Sequence, residues 1–286
     1  MTNVIEWSKR LTDSELGTKG VATLDGVAKF ASPYEFAPGR IAKVQVCSIQ
    51  ISDRVPNIYD ATPYYEFNNT LLRVWTNVTV GFPTTIQLPR GLYSSTTQIA
   101  DAINAAIAAD PIGALWQTNS NDPVLSIDAN PITDQVIVTL DGSKLAFGFT
   151  SISFDFRKTT TNTDLSYTLG FVSSSALFVT TGPLVRFAST LTPRLDTQGT
   201  SIDVRSSIVA PRRRNSEMVT SIATISYAGK STISDNLWPA SGQISSIMPY
   251  TGTLQLSAVY FAFRTSEDNP MLFMGGGVSI VIEFKY

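Results

Sequence analysis

The sequence predicts an all-β sandwich. Three observations predict it: many short β-rich runs with period-2 alternation, turn residues between them, and an abundance of Thr and Ser with scarce Lys. Thr tolerates a pleated backbone and loses rotamer freedom in helices, so this profile suits exposed sheet faces better than helical surfaces. The chain has 286 residues, 43% hydrophobic and 15% charged, enough to bury a sizeable core in one large all-β domain or two ordinary ones.

Residues 1–40 form a polar, mixed-charge lead containing Gly17, Gly20, Gly26, Pro33, Pro38 and Gly39, with no firm period. It reads as an N-terminal arm that orders only against a neighbouring subunit, or equally as a frayed terminus. From Ile41 the pattern turns to strands: 41–51, 71–80, 84–89, 123–128, 135–140, 152–157, 175–181, 184–190, 201–210, 218–228, 243–248, 253–265 and 278–286. The last is the clearest, with Val278, Ile280, Ile282 and Phe284 alternating against Ser279, Val281, Glu283 and Lys285. Pro89-Arg90-Gly91, Asp141-Gly142, Thr181-Gly182-Pro183 and Gly275-Gly276-Gly277 mark turns. The triple glycine leads into a strand rather than a helix, so it predicts a tight turn and not a phosphate cradle.

One segment has a helical period. In 94–111, Ile99, Ala102, Ile103, Ala106 and Ile107 line one face, Ser94, Ser95 or Thr96 supplies an N-cap, and Pro111 ends the run. This amphipathic helix lies in a connection between strands and buries its Ile row against a sheet end or edge.

Composition also bounds the chemistry. The chain has no His and one Cys, Cys47. That removes His-based acid–base catalysis, the Ser/His and Cys/His arrangements, a Cys-ligated zinc site and an intramolecular disulfide. No enzyme activity, metal or other cofactor is expected. With 21 Lys+Arg against 23 Asp+Glu and a pI near 5.2, the charge balance argues against sequence-specific nucleic-acid binding. No apolar run approaches roughly 18 residues, so no transmembrane segment is expected, and residues 1–20 hold no run of signal-peptide type.

The sharpest charge feature is Arg212-Arg213-Arg214 after Ala210-Pro211. It is a candidate subunit or partner contact, weighed against a solvated loop between two strands. Asp122, Asp128, Asp134, Glu267 and Asp268 lie near turns and match no calcium-loop spacing; Asp is an ordinary turn former. Trp7, Trp75, Trp116 and Trp238 are scattered, which suits core and subunit contacts better than a sugar platform.

Three short motifs occur in order. Pro56-Asn57-Ile58 follows the first long strand, and an Asn-containing segment, Phe67-Asn68-Asn69, succeeds it. Ile86-Gln87-Leu88-Pro89-Arg90-Gly91-Leu92-Tyr93-Ser94 then feeds the helix, and Leu169-Gly170-Phe171 precedes the later strands. This order, running from about residue 40 to the C-terminus, resembles the jelly-roll vertex (penton) proteins of virophages, polinton-like viruses and related icosahedral double-stranded DNA viruses.

The resemblance implies a jelly-roll β-sandwich, antiparallel and of Greek-key connection, spanning residues 41–286 with elaborated loops or an insertion. It implies a structural protein located in the virion capsid. Five copies would close each fivefold vertex, with the major capsid protein as a further partner. Pro56, Asn57, Ile58, Pro89, Gly91, Tyr93, Leu169, Gly170 and Phe171 would be scaffold positions. A compact double jelly-roll major capsid protein forming trimers is the alternative within the class, and a carbohydrate- or receptor-binding β-sandwich the alternative outside it. A closed ring of copies uses heterologous interfaces, one flank against the other. A low charge fraction is compatible with that, since charge is depleted at interface cores.

Overall fold

The computed structural model describes residues 3–36, 42–52, 55–77, 84–110, 124–155, 165–171, 178–180, 184–214, 217–226, 236–238, 248–250 and 255–285. The chain divides into two compact units: unit 1 is residues 1–56 with 198–286, and unit 2 is residues 57–197, inserted into it. Unit 1 begins with β1 (Asn3–Arg10), a short helix α1 (Asp13–Leu16), β2 (Gly26–Glu35) and β3 (Lys43–Ser52). Unit 2 follows with β4 (Leu71–Thr76), β5 (Thr84–Gln87), α2 (Thr96–Ala109), β6 (Leu125–Ala129), β7 (Val136–Leu140), β8 (Ile152–Asp155), α3 (Leu165–Thr168), β9 (Phe178–Thr180) and β10 (Val185–Ala188). The chain returns to unit 1 for β11 (Ser201–Ser206), β12 (Arg212–Arg214), β13 (Glu217–Val219) and β14 (Ser221–Ser226). Unit 1 closes with β15 (Asn236–Trp238), β16 (Met248–Pro249), β17 (Gln255–Arg264) and β18 (Gly277–Lys285).

Unit 1 is a jelly roll by strand order. One sheet runs β1-β18-β3-β15, with β16 also on β3; the other runs β2-β17-β11-β14; every pairing is antiparallel. Taking β15 and β16 as two pieces of one edge gives eight positions. The sheets then read first-eighth-third-sixth and second-seventh-fourth-fifth. Apart from the fourth and fifth positions, β11 and β14, which pair side by side, neighbours in sequence alternate between sheets, the wrapping of a double Greek key. The sheets share one apolar interior: Ile5 and Trp7 of β1 and Ile280, Ile282 and Phe284 of β18 belong to the same core as Val259, Phe261 and Phe263 of β17. Trp7 stacks on Phe261 with ring centroids 4.7 Å apart.

Two irregularities in unit 1 follow from sequence. In β3 the buried set passes from Val44 and Val46 to Ile49 and Ile51, an odd step that a regular strand cannot place on one face. The ladder resolves it with a bulge: Ile282 pairs with Val46 and Val281 with Ser48, so Cys47 is the extra, exposed residue. In β2 the register on β17 jumps from Tyr34 to Lys29, which takes Pro33 and its missing N–H out of the ladder.

The structure corrects the reading of the 1–40 lead as an arm. β1 pairs with β18 over its full length and β2 pairs with β17, both within the chain. β1 in fact alternates, with Ile5 and Trp7 buried between exposed Val4, Glu6 and Ser8. The Arg212–Arg214 run is not a loop either: β12 and β13 form a two-stranded ribbon in the β11–β14 connection. The single strand expected over 218–228 is split between β13 and β14 at Thr220. Most of the strands expected at 175–181 and 243–248, together with Trp116 and Asp122, lie outside the described residues.

Among the described residues, unit 2 has two sheets, β5-β4-β8-β9 and β10-β7-β6, and α2 packs against β6 and β5. Ile99, Ile103 and Ile107 of α2 join Leu72, Val74, Ile127, Val138 and Leu140 in its core. Ser95 is the N-cap, accepting from the Gln98 N–H, and the chain leaves the helix at Asp110. Asn104 on α2 holds the edge strand β6 by a two-point bond: its Nδ2 donates to the Ile127 carbonyl and its Oδ1 accepts the Ile127 N–H, both at 3.1 Å. That occupies one rung of an edge that would otherwise offer free backbone groups.

Candidate functional site

The three sequence motifs meet in unit 2, in a buried polar knot built around Asn57 and Asn69. Asn57 enters directly after Pro56, where the chain passes into the insertion. Its backbone N–H and that of Ile58 donate to the Gly91 carbonyl, both at 3.1 Å, while the Gly91 N–H returns a bond to the Ile58 carbonyl. The Asn57 side chain extends this bridge by one rung. Its Oδ1 accepts the Tyr93 N–H at 2.9 Å, and its Nδ2 donates to the carbonyls of Tyr93 (2.7 Å) and Leu195 (3.2 Å). The Tyr93 hydroxyl in turn donates to the Pro89 carbonyl at 2.7 Å.

Asn69 closes the other side. Its Oδ1 accepts the Tyr59 N–H at 2.7 Å, and its Nδ2 donates to the Asn57 carbonyl (2.6 Å) and the Thr168 Oγ1 (2.8 Å). Thr197 donates its hydroxyl to the same Asn57 carbonyl at 3.1 Å. Both amides use both donors and an acceptor, so their burial carries no unsatisfied amide group. A fully paired network of this kind fixes one backbone arrangement, and each missing partner would strand a group away from water.

The third motif is reached through Thr168. Leu169 and Phe171 are buried in the unit 2 core, and Gly170 between them turns the chain at φ +80°. The Gly170 carbonyl accepts from the Leu191 N–H at 3.0 Å, and a Cβ at Gly170 would stand 2.1 Å from the Leu191 oxygen. Only glycine fits both the positive φ and this close approach. Beside it, the Arg194 guanidinium lies over the Tyr167 ring, 4.5 Å from the centroid, and donates to the Tyr167 hydroxyl.

Of the sequence-predicted scaffold residues, Asn57, Ile58, Pro89, Gly91 and Tyr93 thus share one hydrogen-bonded cluster, and Leu169, Gly170 and Phe171 adjoin it through Thr168. Pro56 belongs to unit 1, where its carbonyl accepts from the Gln198 Nε2 at 3.1 Å. That glutamine also brackets Leu272, donating to its carbonyl at 3.1 Å and accepting from its N–H at 2.8 Å. Sequence reasoning missed Gln198, Thr197 and Thr168; single polar residues in Thr/Ser-rich connections carry no spacing signal. Arg212, Arg213 and Arg214 lie in β12 of unit 1, apart from the knot in sequence and in unit, and their side chains are outside the described set.

The electrostatics of the knot are those of a scaffold. Its amides and hydroxyls are neutral, and burial pushes the Tyr93 phenol up from its ordinary value, so it stays a proton donor to Pro89. Among the described residues, no group of three or more His, Cys, Asp or Glu side chains is placed to hold a metal ion. No described helix is long and apolar enough to cross a membrane.

No protein-family model matches the chain, and no curated protein matches it. Among solved structures, it is similar to the selenomethionine-labelled mavirus penton protein, with a TM-score of 0.45 and 9% identity over 100% of this chain and 99% of that one. It is also similar to a chain of the Sputnik virophage structure solved by cryo-electron microscopy, with a TM-score of 0.41 and 12% identity over 99% of both chains.

Proposed function

We propose that this chain is a structural capsid protein of an icosahedral virion, the penton protein that closes the fivefold vertices as a ring of five copies. The observation that carries the reading is the strand order of unit 1. An eight-position jelly roll leaves lateral edge strands, here β1 and β15 on one sheet and β2 and β14 on the other, suited to side-by-side packing in a shell. Lectins share that architecture, so the ordered motifs resembling vertex proteins separate the two readings. Their convergence on one buried knot is what scaffold positions of a family would do.

The order of strands in unit 2 favours the vertex over a trimeric double jelly-roll shell protein. Among the described residues, its first strand β4 pairs with β5 and β8, and the sheets are β5-β4-β8-β9 and β10-β7-β6. A second jelly roll would instead interleave early strands with late ones, as unit 1 does. The test is native mass spectrometry of the purified full chain across concentration. Pentamers support the vertex reading, trimers support the shell alternative, and a monomer at all concentrations refutes self-assembly. Glycan binding by that monomer would establish the carbohydrate-binding reading instead.

A further inference from the structure

We propose that the β12–β13 ribbon is the contact by which one copy grips the next, and that its counterpart is the β6–β7 turn of the neighbouring copy. The inference rests on the ring reading above and names the surfaces that would form it. The ribbon is continuous with the edge strand β14, from which Thr220 alone separates it. It therefore leaves unit 1 at a lateral edge of its sheet. In register, Arg213 stands opposite Met218, whose side chain is 66% exposed, while Arg212 stands opposite buried Val219. Arg and Met are residue types enriched at protein interfaces.

The complementary surface is in unit 2. Ile132 at the tip of the β6–β7 turn is 91% exposed, and exposed Asp128 and Asp134 flank it. The tip is pre-formed: the Asn130 Oδ1 accepts the N–H groups of Ile132 (2.9 Å) and Thr133 (3.2 Å), and the Asn130 N–H donates to the Gln135 carbonyl at 2.8 Å. A rigid tip loses little freedom on docking. The ribbon thus offers exposed Met218 with Arg213 opposite it in register, and the turn offers exposed Ile132 between Asp128 and Asp134.

Whole-unit charge agrees. Unit 2 carries 7 Lys+Arg against 11 Asp+Glu, which leaves unit 1 with 14 against 12 of the chain's 21 and 23. The three arginines account for the positive balance of unit 1. A basic ribbon of one copy meeting an acidic turn of the next joins two different surfaces, a heterologous contact, the kind that closes a ring. The same opposite charges would steer encounter and set register.

The test uses the full chain in a Cys47→Ser background. Ile132→Cys and Met218→Cys are prepared as separate variants, and disulfide formation is followed on each alone and on their mixture. The contact predicts covalent dimers in the mixture only. Arg213→Glu is expected to weaken assembly about tenfold, with recovery when Asp134→Arg is added to the same chain. Rings of normal mass with no cross-link in the mixture would overturn this contact and leave the vertex reading standing. A monomer under all conditions would overturn both. Assembly unchanged by Arg213→Glu, with binding to single-stranded DNA lost, would assign the ribbon to nucleic acid instead.

Discussion

The two units close their β-sheets by different means. Unit 1 relies on long ladders: β3 and β17 have 10 residues each and β18 has 9, and the interior they enclose is aliphatic and aromatic. The described strands of unit 2 run 3 to 6 residues. There, side-chain amides imitate missing strand residues: Asn57 brackets Tyr93 and Asn104 brackets Ile127 through both N–H and carbonyl. The lesson is one of emphasis: both units bury an apolar core, but the insertion sets such brackets at its entry and on its edge strand, where unit 1 sets Gln198 on Leu272 beside long ladders. Substitutions should therefore fail differently in the two.

The largest effect is expected where unit 1 is most apolar. Phe261 is fully buried and stacks on Trp7 across the sandwich. Phe261→Ala removes that ring and leaves a cavity, for a cost of about 3–5 kcal/mol. Hydrogen exchange should show lost protection in β17 and β18 before α2 and β7. Equal loss in both sets would mean that the units unfold as one cooperative body and differ in architecture alone.

A smaller but more selective effect separates the two glycines of the knot region. Gly170→Ala combines positive φ with a clash on the Leu191 oxygen, so a loss of about 2–3 kcal/mol is expected, read as reduced protection in unit 2. Gly91 has no positive φ, and an added Cβ would meet only the Tyr93 ring at 3.4 Å, so Gly91→Ala should cost about 1 kcal/mol or less. Equal costs would show that the Gly91 bridge to Ile58 is strained in a way its geometry does not suggest.

These contrasts also mark what could be read from sequence. The alternation of β18 and the Ile row of α2 were legible because one period runs through each, and Val278, Ile280, Ile282, Phe284, Ile99, Ile103 and Ile107 are all buried. β1 and β2 were not: Ile5 and Trp7 alone carry the alternation of β1 within a polar run, and β2 carries Pro33 and a register break that erase its period. The resemblance implied elaborated loops or an insertion, but the boundaries at residues 56/57 and 197/198 carry no shift in composition and were not legible. The motif order was legible, yet its reason was not. Asn57 and Asn69 are 12 residues apart and both reach Thr168 or Leu195 only through folding.

The smallest expected effect tests the reclassified N-terminal segment. Thr12 and Glu15 form a reciprocal cap on α1: the Glu15 N–H donates to the Thr12 Oγ1, and the Glu15 Oε2 accepts the Thr12 N–H at 3.0 Å. That backbone bond, and then Lys9 at 3.0 Å, hold the Glu15 carboxyl below its ordinary value of 4.5. A carboxylate with a lowered folded-state pKa contributes stability above the unfolded value, and the contribution is lost as pH falls through the folded one. Protection of the α1 amides should therefore weaken as pH drops below 4.5, and Glu15→Gln should remove that slope while leaving β1 paired with β18. An unchanged slope in the variant would mean that another carboxylate controls the segment. Loss of β1 protection in the variant would instead show that the cap, and not the ladder to β18, holds the N-terminal strand in place.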